Sequence, residues 1–159
     1  MDRRSSYITA SDKNKDRLYQ VMDGMSNFAA TNTLRVIRAA EESVSSPQIT
    51  LIRRSSDDSY FAANTFDLVY IDGSHYYQDV CRDIQLALKI LKPGGIVCGD
   101  DLEIQLSKET VALARLRSDE DYVRNSDGKY FHPGVTLAVH ENLGSVETKS
   151  GFWWKRIAK

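Results

Sequence analysis

The sequence lacks any long hydrophobic run. Its apolar stretches reach about five residues, against the ~20 that a membrane-spanning helix needs, so no span and no membrane partner is expected. The N-terminus, Met1-Asp2-Arg3-Arg4-Ser5-Ser6, has no apolar core of the kind a secretory signal requires. Cysteine is scarce. Cys81 and Cys98 are the only two, both inside apolar segments. They read as small buried hydrophobes in a reducing compartment, not as a disulfide framework, which makes the cytoplasm the expected location. Nor is there an excess of charge of one sign. Lys plus Arg number 21 and Asp plus Glu 22, a formal net charge of −1, so nothing in the charge balance points to nucleic acid as a partner. With 42% hydrophobic and 27% charged residues, what is present is globular composition. A chain of 159 residues has room for one domain.

Short apolar runs alternate with longer amphipathic stretches, the α/β pattern. A short strand is expected over 7–10, a helix over 27–44 stopped by Pro47, and a strand over 48–54 from its β-branched content. The run over 66–71 is nearly continuously apolar and ends in Asp72-Gly73. Strands covered by helices on both faces of a parallel sheet have this composition. Over 76–91 the period turns helical, with Val80, Ile84, Ala87, Leu88 and Leu91 in one stripe. Lys92-Pro93-Gly94-Gly95 ends it, and the next buried strand, Ile96-Val97-Cys98, runs into Gly99-Asp100-Asp101. Together these form a βαβ unit. Beyond it lie an amphipathic stretch over 106–117 and polar turns, so 102–131 reads as an insertion or lid. His132-Pro133-Gly134 opens a further helix with proline near its first turn, closed at Gly144. A last strand over 152–157 pairs back on 145–149 through a turn at Ser150-Gly151. Trp153 and Trp154 face opposite sides of it, one of them in the core.

Two successive parallel strands thus end in carboxylate, at Asp72 and at Asp100-Asp101. Neighbouring strands lie ~4.8 Å apart, so these acids converge at the carboxyl edge, where open α/β sheets bind ligands. Clustered carboxylates repel unless a cation or donor neutralises them, and Mg²⁺ takes oxygen ligands. Equally open is that Asp72 caps the following helix and that Asp100 and Asp101 are solvated loop residues. His75, at the same edge, is a candidate general base or substrate contact, or simply a helix N-terminal residue. Tyr76 and Tyr77 either floor a pocket or cover the sheet edge. His132 reads as a surface-loop histidine, with a place over the site as the alternative. His140 reads as structural.

The tract from Phe66 to His75, ending Ile-Asp-Gly-Ser-His, and the tract from Leu91 to Asp101, Leu-Lys-Pro-Gly-Gly through Asp-Asp, resemble the second half of a class I S-adenosylmethionine-dependent methyltransferase. The similarity runs from about residue 48 to 157, and includes the helix after His132 and the Gly151-Phe152-Trp153 strand. It implies a Rossmann-like fold, mostly parallel with a C-terminal antiparallel strand, in a single domain over 1–159. It implies S-adenosylmethionine as methyl donor and a small-molecule or sugar hydroxyl as acceptor. It implies Mg²⁺ held by Asp72, Asp100 and Asp101, with Asp72 and His75 as catalytic residues. In such enzymes the metal orients and acidifies the acceptor hydroxyl. The cofactor would meet Asp12 at the ribose and Asp57 near the adenine, with Asp72 and Gly73 as its further contacts.

One departure stands out. The family's glycine-rich cofactor loop is missing, since Gly24 is the only glycine before the third expected strand. The chain reads as N-terminally truncated, beginning near the family's second strand. Loss of the central first strand would leave backbone groups unpaired. This implies a fragment of a longer protein, or the 7–10 strand filling the gap, or a second copy covering the edge in a homodimer. A methyltransferase, or its catalytic half, is the leading expectation. The competing reading is a non-catalytic methyltransferase-like interaction module. A metal hydrolase is disfavoured, because no phosphate loop or nucleophile precedes the carboxylates.

Overall fold

A computed structural model describes residues 60–104 and 107–158, with positions 28, 31, 32, 35, 38, 39, 50, 52, 55 and 56 upstream. By its contacts the chain divides into two units, Met1–Arg53 and Arg54–Lys159. In the first, Phe28, Thr31, Asn32, Arg35, Arg38 and Ala39 are helical, within the helix expected over 27–44. Thr50 and Ile52 are exposed and outside any strand, which corrects the strand expected over 48–54. β-branched content favours a strand only where a neighbouring ladder receives it, and neither residue has one. The strand expected over 7–10, together with Asp12 and Asp57, lies outside the described residues.

The second unit is built on a four-stranded sheet. Strand β1 (Phe66–Ile71) leads into helix α1 (Tyr77–Ile90) and then strand β2 (Leu91–Leu102). β1 and β2 are parallel, so the βαβ unit forms as its periodicity predicts. Next come helix α2 (Lys108–Leu116) and a small hairpin, β3 (Val123–Arg124) with β4 (Tyr130–Phe131). Helix α3 (Pro133–Leu143) has proline at its start and ends at Gly144, with φ 66°. β5 (Glu147–Lys149) and β6 (Gly151–Arg156) close the sheet in the order β1-β2-β6-β5, both antiparallel. Ser150, with φ 52°, makes the expected turn. Among the described residues one strand pair of three is parallel, so the parallel character of this sheet lies in its βαβ unit. No described helix is long and apolar enough to cross a membrane.

The core lies on one face. Val80, Ile84 and Ala87 of α1 pack with Val97, Trp153 and, from α3, Val135, Ala138 and Val139. Burying each such aliphatic side chain is worth roughly 1.5–3 kcal/mol, which makes this packing the main support of the unit. Trp153 is the core tryptophan and Trp154 is half-buried. Gly99 is required beneath Trp153, because a Cβ there would sit 2.6 Å from both the indole and the Ile71 carbonyl. The expectation that β1 is covered on both faces needs correction. Leu68 is 54% and Tyr70 47% exposed, because α1 and α3 cover only the face bearing Val69 and Val97. Lys92-Pro93-Gly94-Gly95 lies beyond the helix as a loop-out within β2. The β1–β2 register jumps there from Phe66↔Leu91 to Leu68↔Ile96, and Lys92 pairs with Asp67 at 2.8 Å.

A second, smaller core holds residues 103–132 to the rest. Ile104, Val111, Ala114, Val123 and Phe131 pack around Leu137 of α3. Tyr77 of α1 donates to Glu141 Oε2 at 2.6 Å, and Arg115 of α2 donates to Glu141 Oε1 at 2.8 Å. One α3 carboxylate thus ties three helices. These bonds hold Glu141 below, and Tyr77 above, its ordinary pKa. Both cysteines are free thiols, Cys98 buried and Cys81 partly so.

Candidate active site at the carboxyl edge of the sheet

β1 and β2 end side by side, with Ile71 opposite Gly99. The next residues along the two strands are Asp72 and Asp100. The Tyr70 hydroxyl lies 3.5 Å from Asp72 Oδ2. Its pKa is raised, first by loss of surrounding water and then by the negative charges of Asp72, Asp100 and Asp101. The negative charge of all three expected acids is thus felt at one phenol, which touches Asp72.

They are not equivalent. The β2–β6 register pairs Gly99 with Trp153 and Leu102 with Gly151, so Asp100 and Asp101 together oppose Phe152 alone. This is a β-bulge, a device that re-aims a side chain beside a site. Asp101 adopts φ 66°, a left-handed conformation that aspartate tolerates better than most residues. The bulge is pinned locally. The Asp101 N–H donates to Asp100 Oδ1 at 2.9 Å, and the Trp153 indole donates to the Asp100 carbonyl at 3.0 Å.

So placed, Asp101 Oδ2 lies 3.1 Å from His75 Nε2. The other ring nitrogen of His75, Nδ1, lies 2.7 Å from Asp121 Oδ1. His75 precedes α1, whose N-cap is Tyr76. Its ring is 4.1 Å, centroid to centroid, from that of His132, the N-cap of α3. Nδ1 of His132 is 2.5 Å from Glu103 Oε1 and 3.9 Å from Asp101 Oδ1, and its backbone N–H donates to Glu103 Oε2 at 3.2 Å. The two imidazoles meet because α3 begins hard against the His75 loop: a Cβ on Gly134 would fall 2.2 Å from the His75 carbonyl oxygen. Tyr122 packs on the outer side of His132 at 4.5 Å.

The expected site residues divide accordingly. His75 and Asp101 meet, and the alternative role of Asp72 as a helix cap is not used. Ser74 serves that turn, accepting from the Tyr76 N–H at 3.3 Å and donating to Asp79 at 2.8 Å. Tyr77 is a structural tie and His140 an exposed residue on the last turn of α3. His132, read from sequence as a surface-loop residue, has a side chain only 13% exposed and belongs to the cluster. Glu103 and Asp121 carried no signal in the sequence, because a tertiary approach alone brings them in. Among the described residues, the potential ligand atoms that lie within 4.8 Å of one another come from His75, Asp101 and His132. Of the three acids expected to hold Mg²⁺, Asp101 alone is in that group.

Asp72 and Gly73 instead line a cavity of about 390 Å³ between β1 and α1, walled by Phe61, Val69, Ile71 and Leu86 with Asp83 at its side. Apolar walls with a few carboxylates suit a ligand that pairs an aromatic base with cationic groups. Of the four expected cofactor residues, Asp72 and Gly73 line this cavity.

A βαβ unit with its acids at the carboxyl edge is the framework of a Rossmann-like nucleotide-cofactor enzyme. A family model described as a methyltransferase domain matches residues 2–102, more than half of the chain. The protein belongs to this family, and so to the class I methyltransferases, whose methyl donor is S-adenosylmethionine. Comparison with curated proteins and with solved structures gives no significant match.

Proposed function

We propose that the protein transfers a methyl group from S-adenosylmethionine to a hydroxyl of a small molecule or sugar at the rim formed by Asp72, His75 and Asp101. Family membership supports methyl transfer. The observation that carries the hydroxyl acceptor is His75, whose two ring nitrogens lie 3.1 and 2.7 Å from carboxylates of Asp101 and Asp121, three residues from the cavity that Asp72 lines. A hydroxyl must lose its proton as it is alkylated. The rim supplies imidazoles and carboxylates to accept it, and a hydroxyl, a far weaker acid than a thiol, needs such help most. The bound cofactor supplies an activated methyl on sulfonium. With the cofactor held beside Asp72 and Gly73, the acceptor oxygen would take that methyl as its own proton passes to a basic group of the rim, His75 first. Fixing acceptor and methyl in line is the larger part of the work.

Calorimetric titration of the full chain with S-adenosylmethionine tests the reading, together with release of S-adenosylhomocysteine over a panel of hydroxylated small molecules and sugars. Saturable binding, weakened by Asp72→Asn, is expected. His75→Ala should lower kcat roughly 10²–10⁴-fold, the range for loss of a positioned acid–base group. Absence of cofactor binding by the folded chain would leave the non-catalytic module as the better account.

A further inference from the structure

The geometry points to a divalent transition-metal site with mixed nitrogen and oxygen ligands, supplied by His75, Asp101 and His132. In its role at the rim the inference rests on the methyltransferase reading; as a binding site it stands by itself.

Four observations carry it. First, ligand atoms of His75, Asp101 and His132 already lie within 4.8 Å of one another, and Glu103 Oε1, 2.5 Å from His132 Nδ1, holds that ring in place. Second, His75 shows the arrangement of a metal-bound imidazole. One nitrogen faces the cluster, and the other is held by the Asp121 carboxylate at 2.7 Å. Such an outer carboxylate fixes the tautomer and orientation of a metal-ligating histidine. Third, the charge is unbalanced. Among the described residues the ion-pair partners of Asp101, Glu103 and Asp121 are the two histidines, not lysine or arginine. Fourth, the donors are partly withdrawn from water, with His132 13%, Asp101 29% and His75 32% exposed, and the fold fixes them. His75 and His132 sit next to the first turns of α1 and α3, and Asp101 is fixed by its bulge.

Two imidazoles and carboxylate select an ion such as Zn²⁺, Fe²⁺ or Co²⁺ over Mg²⁺, which prefers oxygen alone. Bound there, the ion would polarise the acceptor hydroxyl and lower its pKa, taking over the part that the His75 imidazole plays in the metal-free site.

The test is titration of the metal-free full chain with Co²⁺, read by its visible ligand-field absorption, and with Zn²⁺ and Mg²⁺ by calorimetry. One tight Co²⁺ or Zn²⁺ equivalent and no comparable Mg²⁺ binding are expected. Asp101→Asn should weaken Co²⁺ binding at least tenfold. His132→Asn, which retains a good helix cap, should do the same while leaving the far-ultraviolet circular dichroism unchanged. Asp121→Asn should cost roughly 10–100-fold, as the loss of an outer partner does. Asp72→Asn should leave Co²⁺ affinity intact. The proposal is overturned if neither Co²⁺ nor Zn²⁺ binds, or if affinity tracks Asp72 and Asp100 and ignores His132. Because these measurements need no cofactor, metal binding without S-adenosylmethionine binding would sink the methyltransferase reading and spare the site, and the reverse result would do the opposite.

Discussion

The βαβ unit and the segment over 103–132 contribute to one site in different ways. The βαβ unit is anchored in the main core, where Ile84 and Val97 are fully buried and Trp153 nearly so. It presents Asp72, His75 and Asp101 from the ends of regular elements. The segment after it packs five buried residues against Leu137 of α3, and its Glu103, Asp121 and His132 stand outside regular elements, around the short β3–β4 hairpin. The family match stops at Leu102, where the first region ends. The shared fold provides a rim with three acids. The 103–132 segment brings His132 against His75 and adds the carboxylates of Glu103 and Asp121 to that rim.

This contrast can be broken experimentally. The largest effect expected is from Trp153→Ala, which empties the main core and removes the indole bond to the Asp100 carbonyl; roughly 3–5 kcal/mol should be lost in urea unfolding, with the whole unit melting together. Phe131→Ala should cost about 3 kcal/mol, the low end of the same range. Hydrogen exchange should then rise within 103–132 and leave β1 and β2 protected; uniform loss of protection would show that the two cores are one. Gly134→Ala drives a methyl into the His75 carbonyl and should cost roughly 1–3 kcal/mol. It should also weaken Co²⁺ binding more than an equally destabilising core substitution does. The smallest effect is on the acid limb. Glu141, held below its ordinary pKa by Tyr77 and then Arg115, stabilises the fold fully above the ordinary carboxylate pKa, and that contribution is lost as pH falls through the depressed value. Glu141→Gln should therefore flatten the drop in Tm between neutral pH and pH 3, while lowering Tm at neutral pH.

The same contrast explains what the sequence made legible. Periodicity found the βαβ unit because α1 and β2 bury what the pattern says they bury. Pro133 and Gly144 marked α3 because local backbone chemistry decides helix ends. The closing hairpin and its Ser150 turn were equally local. Where partners decide, the reading failed. Leu68 and Tyr70 look like residues of a doubly covered strand, yet exposure depends on what packs above them. The acids at 72, 100 and 101 were found together, but only one of them turns to the histidines, because the bulge at Asp100-Asp101 shows itself solely as one residue too many against Phe152. His132 did have a signal, a histidine at the start of a helix that comes after the sheet's carboxyl edge. Asp121 and Glu103 had none.

That surplus residue has a further consequence. Removing Asp101 would let β2 and β6 zip in continuous register and relieve a backbone conformation that costs of order 1–3 kcal/mol for most side chains. The shortened chain should be a sturdier scaffold with a dead rim. At this position selection for durability and selection for reactivity pull in opposite directions, and a search for hardened variants that scores melting temperature alone would find the deletion first.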